Sequence, residues 1–260
     1  MDYKKYTEAN RKAWNEVTPK HEEIKREAKK QFLEPGFSCL DETVTEKLQE
    51  IGLEGKDVAQ VCCNDGVETL SLKNLGAASV TGFDISDAAI ESGRRLAKES
   101  GIDCEFVRTD IYEMPDQYYG RYDLAYISVG ALSWFPDLRL FFEVVRRLLK
   151  PGGTLLIYEM HPFLNMLDED SNTFSIKHSY FIDEPWVYDD GILYMGNDPY
   201  ESSTTYNFDH KVSDIFAGLL RNDFRIGAFE EYPHDLTPMF EHLESRKVEV
   251  PMSMIIVAGV

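Results

Sequence analysis

Between Asp57 and Glu159 the chain alternates short apolar runs with amphipathic helical stripes, and that rhythm restricts the fold more than any other feature. The run Val58-Ala59-Gln60-Val61-Cys62 stops at the turn signal Asn64-Asp65-Gly66, and a helix-like stretch continues to Leu75-Gly76. Residues 79–84 read as a strand. Ser86 is placed to cap a helix over 87–100, and Gly101 to end it. Strand-like runs follow at 104–108 and 122–128. Leu138, Phe141, Phe142, Val145, Leu148 and Leu149 then share one helical face, with Arg146, Arg147 and Lys150 in the last turn complementing the helix dipole. Pro151-Gly152-Gly153 is the expected stop, and 155–159 is a further buried strand. Strands apolar on both faces and separated by helices imply a mainly parallel sheet covered on both sides, hence a doubly wound α/β fold. In such folds ligands sit outside the C-terminal ends of the strands. A helix marked by Val212, Ile215, Phe216, Leu219 and Leu220, then strands at 224–229 and 252–258, complete the pattern.

The flanking segments read differently. Residues 1–32 are predicted helical from the spacing of Trp14, Val17, His21, Ile24 and Ala28, with Pro19 expected to interrupt or split the helix. Lys25, Arg26, Lys29 and Lys30 read as a solvated basic face. Residues 163–208 are acidic and aromatic with little helical period, which suggests an inserted β-rich or mixed lid, with Trp186 and Tyr194 expected to supply substrate contacts. The net charge of −19 disfavours a nucleic acid or an anionic membrane as partner. The longest apolar run, 254–260, falls far short of the roughly 18 residues that span a bilayer. With a polar start at residues 1–5, the expectation is a soluble cytoplasmic protein with no membrane partner, as a monomer or homodimer. Cys39, Cys62, Cys63 and Cys104 have no zinc-ligand spacing and read as free thiols, so no metal is expected.

The turn after the first strand holds one glycine, Gly66, where a dinucleotide fingerprint needs three to bring backbone against a pyrophosphate. Asp84 ends the second strand and Asp110 follows the third. Either carboxylate alone fits a helix cap. Together they describe a nucleoside site without a phosphate arm, Asp84 for two ribose hydroxyls and Asp110 for an exocyclic amine.

These segments resemble the class I S-adenosylmethionine (SAM)-dependent methyltransferases, in particular the small-molecule group with a type 11-like domain. The resemblance rests on Val58 to Gly66, on Gly82-Phe83-Asp84-Ile85-Ser86, on Thr109-Asp110-Ile111, on Tyr122-Asp123-Leu124 and on the string Leu148-Leu149-Lys150-Pro151-Gly152-Gly153-Thr154-Leu155. It departs at Gln60, where the family usually has an acid, and at Cys62 and Asn64, where it usually has glycines. It implies a seven-stranded Rossmann-like sheet with helices on both faces and one methyltransferase domain over 1–260. Within it, 1–40 would be a helical cap, 57–160 the SAM-binding core, 163–208 the lid, and 209–260 the helix and strands that complete the sheet. Cys62, Cys63, Asn64, Gly66, Asp84, Ile85, Asp110, Ile111 and Ser128 would hold the cofactor, with Tyr6, Trp14 and Trp134 as aromatic faces near its sulfonium. Glu159, His161 and His234 fall near the sheet edge where an acceptor would arrive, and His161 is the candidate general base. The implied activity is methyl transfer to a small molecule. A non-catalytic SAM-binding sensor and, more remotely, a nicotinamide-dependent oxidoreductase are the alternatives.

Overall fold

The computed structural model describes residues 3–189, 191–192, 200, 202–244 and 246–260. One seven-stranded sheet is built from β1 (Asp57–Val61), β2 (Ser79–Asp84), β3 (Glu105–Arg108), β4 (Tyr122–Ile127), β5 (Leu149–Met160), β8 (Arg225–Tyr232) and β9 (Ser253–Gly259). A separate two-stranded sheet pairs β6 (Trp186–Tyr188) with β7 (Thr205–Asn207). The large sheet runs β3-β2-β1-β4-β5-β9-β8, with β1 to β5 parallel and β9 antiparallel to both its neighbours. Strand order reverses between β1 and β4, so the crevice at their C-terminal ends is the expected ligand position.

The helices are α1 (Lys4–Lys29), α2 (Glu42–Ile51), α3 (Val67–Asn74), α4 (Asp87–Ser100), α5 (Leu138–Leu148), α6 (Val212–Arg221) and the short α7 (Glu241–Glu244). Strand alternation sorts the core into two layers. On β4 and β5, Ala125, Ile127, Leu155 and Ile157 pack with Phe141, Phe142 and Leu148 of α5 and Ile215 and Leu219 of α6. From the other face, Leu124, Tyr126, Leu156 and Tyr158 pack with Val44 and Leu48 of α2 and Leu72 of α3. Ser86 caps α4 by accepting from the Ala89 N–H at 3.1 Å, and Gly101 closes it at φ 69°. The α2 helix has no counterpart in the sequence reading. Its signal was Asp41, whose carboxylate accepts from the Val44 N–H at 3.0 Å.

Three local expectations are corrected. Helix α1 passes through Pro19 without a break. A mid-helix proline costs about 3 kcal/mol, and burial of Asn10, Ala13, Val17 and His21 along one face outweighs it. Val17 and His21 of the expected face are buried, whereas Ile24 and Ala28 at its C-terminal end lie exposed. Secondly, the basic cluster is only half solvated. Arg26 and Lys30 are exposed, while Lys25 and Lys29 reach the buried Asp65 carboxylate at 3.3 and 3.1 Å. Thirdly, α5 ends before Pro151-Gly152-Gly153, which are already part of β5. Lys150 explains the early strand: its Nζ lies 2.8 Å from Asp57 Oδ2 and 2.9 Å from Asp123 Oδ2, fastening β5 to β1 and β4 instead of serving the α5 dipole.

Described residues between 163 and 208 add no strand to the large sheet. They form one helical turn, a bridge between Leu167 and Ile176, and the β6–β7 pair. Asn10 of α1 continues that pair, donating to the Tyr206 carbonyl at 2.9 Å and accepting from its N–H at 2.8 Å. No helix among the described residues is long and apolar enough to cross a membrane. All four cysteines are free thiols.

Candidate active site

A cavity of about 1160 Å³ opens at the C-terminal ends of β1, β2, β3 and β4. It exceeds the roughly 300–1,000 Å³ usual for one small ligand, which leaves space beside a nucleoside for a second molecule.

Its floor is the turn from β1 into α3. Cys62, Asn64 and Gly66 all have positive φ, at 62°, 49° and 79°. The turn therefore follows a path suited to glycine at three alternate positions although only one is glycine. Asparagine tolerates this region best among the other residues, and a cysteine there carries a strain of about 1–2 kcal/mol. At Gly66 a side chain is excluded outright, since a Cβ would lie 2.4 Å from the Phe106 ring. Cys62, Cys63 and Asn64 line the cavity, whereas Gly66 sits behind them at the start of α3. Burial pushes both thiols well above their ordinary range, so they are neutral and inert.

Asp84 reaches the same floor from β2. One carboxylate oxygen accepts from the Asn64 N–H and the other from the Ser86 N–H, each at 2.9 Å. Each oxygen keeps a second lone pair for a ligand. Burial raises the Asp84 carboxyl, opposed by these backbone donors. Asp110, after β3, accepts from the Tyr112 N–H at 3.0 Å, and burial raises it as well. Ile85, Ile111 and Ser128 complete this corner. Helix α1 is docked against it: Asn15 accepts from Ser86 Oγ at 2.8 Å and from the Ala88 N–H at 3.1 Å, while Arg11 Nε donates to Asp87 at 2.8 Å.

The docking places Trp14 on the cavity wall opposite the loop after β4. Its ring meets Trp134 edge to face, with centroids 5.4 Å apart. Glu159, at the end of β5, builds that loop from behind. It accepts from the backbone N–H groups of Gly130 at 2.6 Å, Ala131 at 3.1 Å, Leu132 at 3.3 Å and Met160 at 2.9 Å. Desolvation nonetheless lifts its carboxyl to about 7.

Several expected site residues stand elsewhere. His161 is not on the cavity lining. Its ring is buried, Nε2 lies 3.1 Å from Glu231 and Nδ1 accepts from the Phe163 N–H at 3.1 Å, so it ties β5 to β8. Tyr6 packs edge to face on Tyr206 and Phe208, away from the lining. His234 bonds the Tyr158 hydroxyl at 2.8 Å, and Trp186 donates to Asp209 at 2.8 Å; neither lines the cavity. Tyr194 lies outside the described residues. Sequence reasoning missed Thr7, Asn10 and Lys25 of α1, Glu68 of α3 and the segment 235–239 after β8. The Asp235 to Pro238 turn was the available signal for the last of these. No group of three or more metal-ligating side chains occurs among the described residues.

Residues 58–153 match the family described as a methyltransferase domain, and the chain has the class I SAM-dependent methyltransferase fold. A ubiquinone biosynthesis O-methyltransferase from Erwinia tasmaniensis is 34% identical over 102 residues, which is 39% of this chain and 41% of that protein. The chain spans less than half the length of such curated relatives. Among solved structures, a SAM-dependent methyltransferase from Listeria monocytogenes superposes with a TM-score of 0.61 at 18% identity, over 82% of this chain and 95% of that one. One from Mesorhizobium loti gives 0.56 at 20% identity, over 83% and 96%.

Proposed function

We propose that the protein is a SAM-dependent methyltransferase acting on a small-molecule acceptor. The observation that carries this reading is the pair Asp84 and Asp110, set on successive strand ends at one corner of a cavity too large for a nucleoside alone. The donor set suits the cofactor: two carboxylates for hydroxyl and amine donors, and a floor whose Cys62 and Asn64 side chains leave no bare backbone for a pyrophosphate. When bound, SAM supplies a methyl group on a sulfonium, an electrophile for in-line displacement. Asp84 accepts from ribose hydroxyls through the lone pairs that Asn64 and Ser86 leave open. Asp110 accepts from the adenine amine. Trp14 and Trp134 exclude water, and their ring faces favour a cationic centre. The acceptor enters between α1, residues 191–192 and the segment 235–239, all of which line the remaining space. The curated relatives make an oxygen acceptor the first class to test. The net charge of −19 supports an acceptor that is not a nucleic acid, and cytoplasmic action fits the same reading.

The test is calorimetric titration with S-adenosylhomocysteine, followed by transfer of a labelled methyl group from SAM to a panel of phenols, amines and thiols. Binding with turnover on at least one acceptor is expected. Binding without turnover on any would favour the sensor alternative. A chain that ignores S-adenosylhomocysteine but is stabilised by NAD would overturn the reading.

A further inference from the structure

Beyond the nucleoside corner the cavity continues along residues 62–65 to the first turn of α3, where Glu68 lines it. Gln60, at the end of β1 and only 1% exposed, donates from Nε2 to Glu68 Oε2 at 2.7 Å. The same amide is fixed from its other side by Thr69 Oγ1, which donates to Gln60 Oε1 at 2.5 Å. Ser128, just past β4, lines the same cavity and holds the Glu68 carboxyl down against the effect of burial. The group bonded to the carboxylate is neutral, and Lys25, which lines the same cavity and is paired with Asp65, acts on Glu68 through space.

The other interior carboxylates are accounted for. Asp65 is paired with Lys25 and Lys29. Asp84 and Asp110 face the corner assigned to the nucleoside. Glu68 forms no ion pair among the described residues. Burial already raises its carboxyl, so a cation brought to it gains a charge-assisted hydrogen bond shielded from solvent. Loop 62–65, Glu68 and Ser128 line the same cavity as Asp84 and Asp110, within reach of a nucleoside that carries an amino-acid tail.

We propose that Glu68, oriented by Gln60, binds the α-ammonium of the cofactor's amino-acid tail. The anionic group that β1 lacks at Gln60 is supplied from α3, and Gln60 becomes its support. This inference rests on the SAM reading of the cavity.

Two ligands separate a tail-binding role from a structural one. S-adenosylhomocysteine carries the amino-acid tail; 5′-methylthioadenosine has the same thioether nucleoside without it. A charged hydrogen bond contributes about 1.5–3 kcal/mol, or roughly 10- to 100-fold in affinity. Glu68→Gln should therefore weaken S-adenosylhomocysteine by about that factor and leave 5′-methylthioadenosine within about twofold. Asp84→Ala should weaken both. The exchange Gln60→Glu with Glu68→Gln returns a carboxylate to the same spot and should recover most of the lost affinity. Equal loss of both ligands in Glu68→Gln, or loss of neither, overturns the role of Glu68 while the cofactor reading stands. A wild-type protein that binds neither ligand overturns both.

Discussion

Asp84 shows how one side chain serves fold and site together. Its two oxygens fasten the β1–α3 turn to the start of α4 through Asn64 and Ser86. Asp84→Ala should then lose a ribose contact and loosen the turn beneath it, costing on the order of 2–3 kcal/mol of S-adenosylhomocysteine affinity, about a hundredfold by calorimetry. Asp110→Asn should cost much less, since its amide oxygen still accepts from an amine. Cys62 poses a different question, because its φ of 62° belongs to glycine. Cys62→Gly removes the strain and adds unfolded-state freedom, so stability should stay within about 1 kcal/mol of wild type. Cys62→Val puts a β-branched side chain into the left-handed region and should lower stability by about 2 kcal/mol or more. Denaturant midpoints of the two variants test this; a tolerated valine would mean that the turn adopts another path.

Among the elements, the loop after β4 depends most on a single remote group. Glu159 gathers three consecutive N–H groups of that loop, and its carboxyl is raised to about 7 from an ordinary 4.5. A carboxyl raised on folding binds more protons in the native state than in the unfolded chain. Its contribution to stability is therefore full below about pH 4.5 and declines as pH rises to about 7. Glu159→Gln does not titrate. The stability of wild type relative to this variant should fall between pH 5 and 7 by up to about 1.4 kcal/mol per unit, measured by denaturant unfolding at several pH values. A difference independent of pH would place the Glu159 titration outside this range. The residues that the loop presents to the cavity, Ser133 and Trp134 among them, owe their position to this anchor.

At the scale of the molecule, the sheet is complete without α1 or residues 163–208, and both stand over its C-terminal edge. Helix α1 contributes Trp14 and Lys25 to the lining and is pinned by Asn15, Arg11 and the Asp65 ion pairs. Covers of this kind order further when ligand arrives. Backbone hydrogen exchange in α1 and in the β6–β7 pair should slow when S-adenosylhomocysteine is added, while β1, β4 and β5, already protected, hardly change. Exchange that ignores ligand and responds to protein concentration would instead identify these segments as a subunit contact. Deleting residues 1–20 removes Trp14 and the Asn15 network, so a folded core with weakened cofactor retention is expected from unfolding and titration measured together.

By itself the sequence determined the layered sheet, the α4 caps at Ser86 and Gly101, and the two carboxylates at strand ends. Each depends on periodicity or on neighbours within a few positions, and local physics settles such features. Only the tertiary structure decided which polar residues face the cavity. His161 lies at a strand end as expected, yet Glu231, 70 positions along the chain, draws it out of the site. Pro19 failed to break α1 because the burial that holds the helix comes from distant segments. Lys25 and Lys29 looked solvated until Asp65 was brought against them. Glu68 carried no visible signal, because its bond to Gln60 and its place on the cavity wall exist only once α3 is packed against β1. Long-range pairing of charges and hydrogen bonds is set by where the packed chain places them, and no local pattern encodes it.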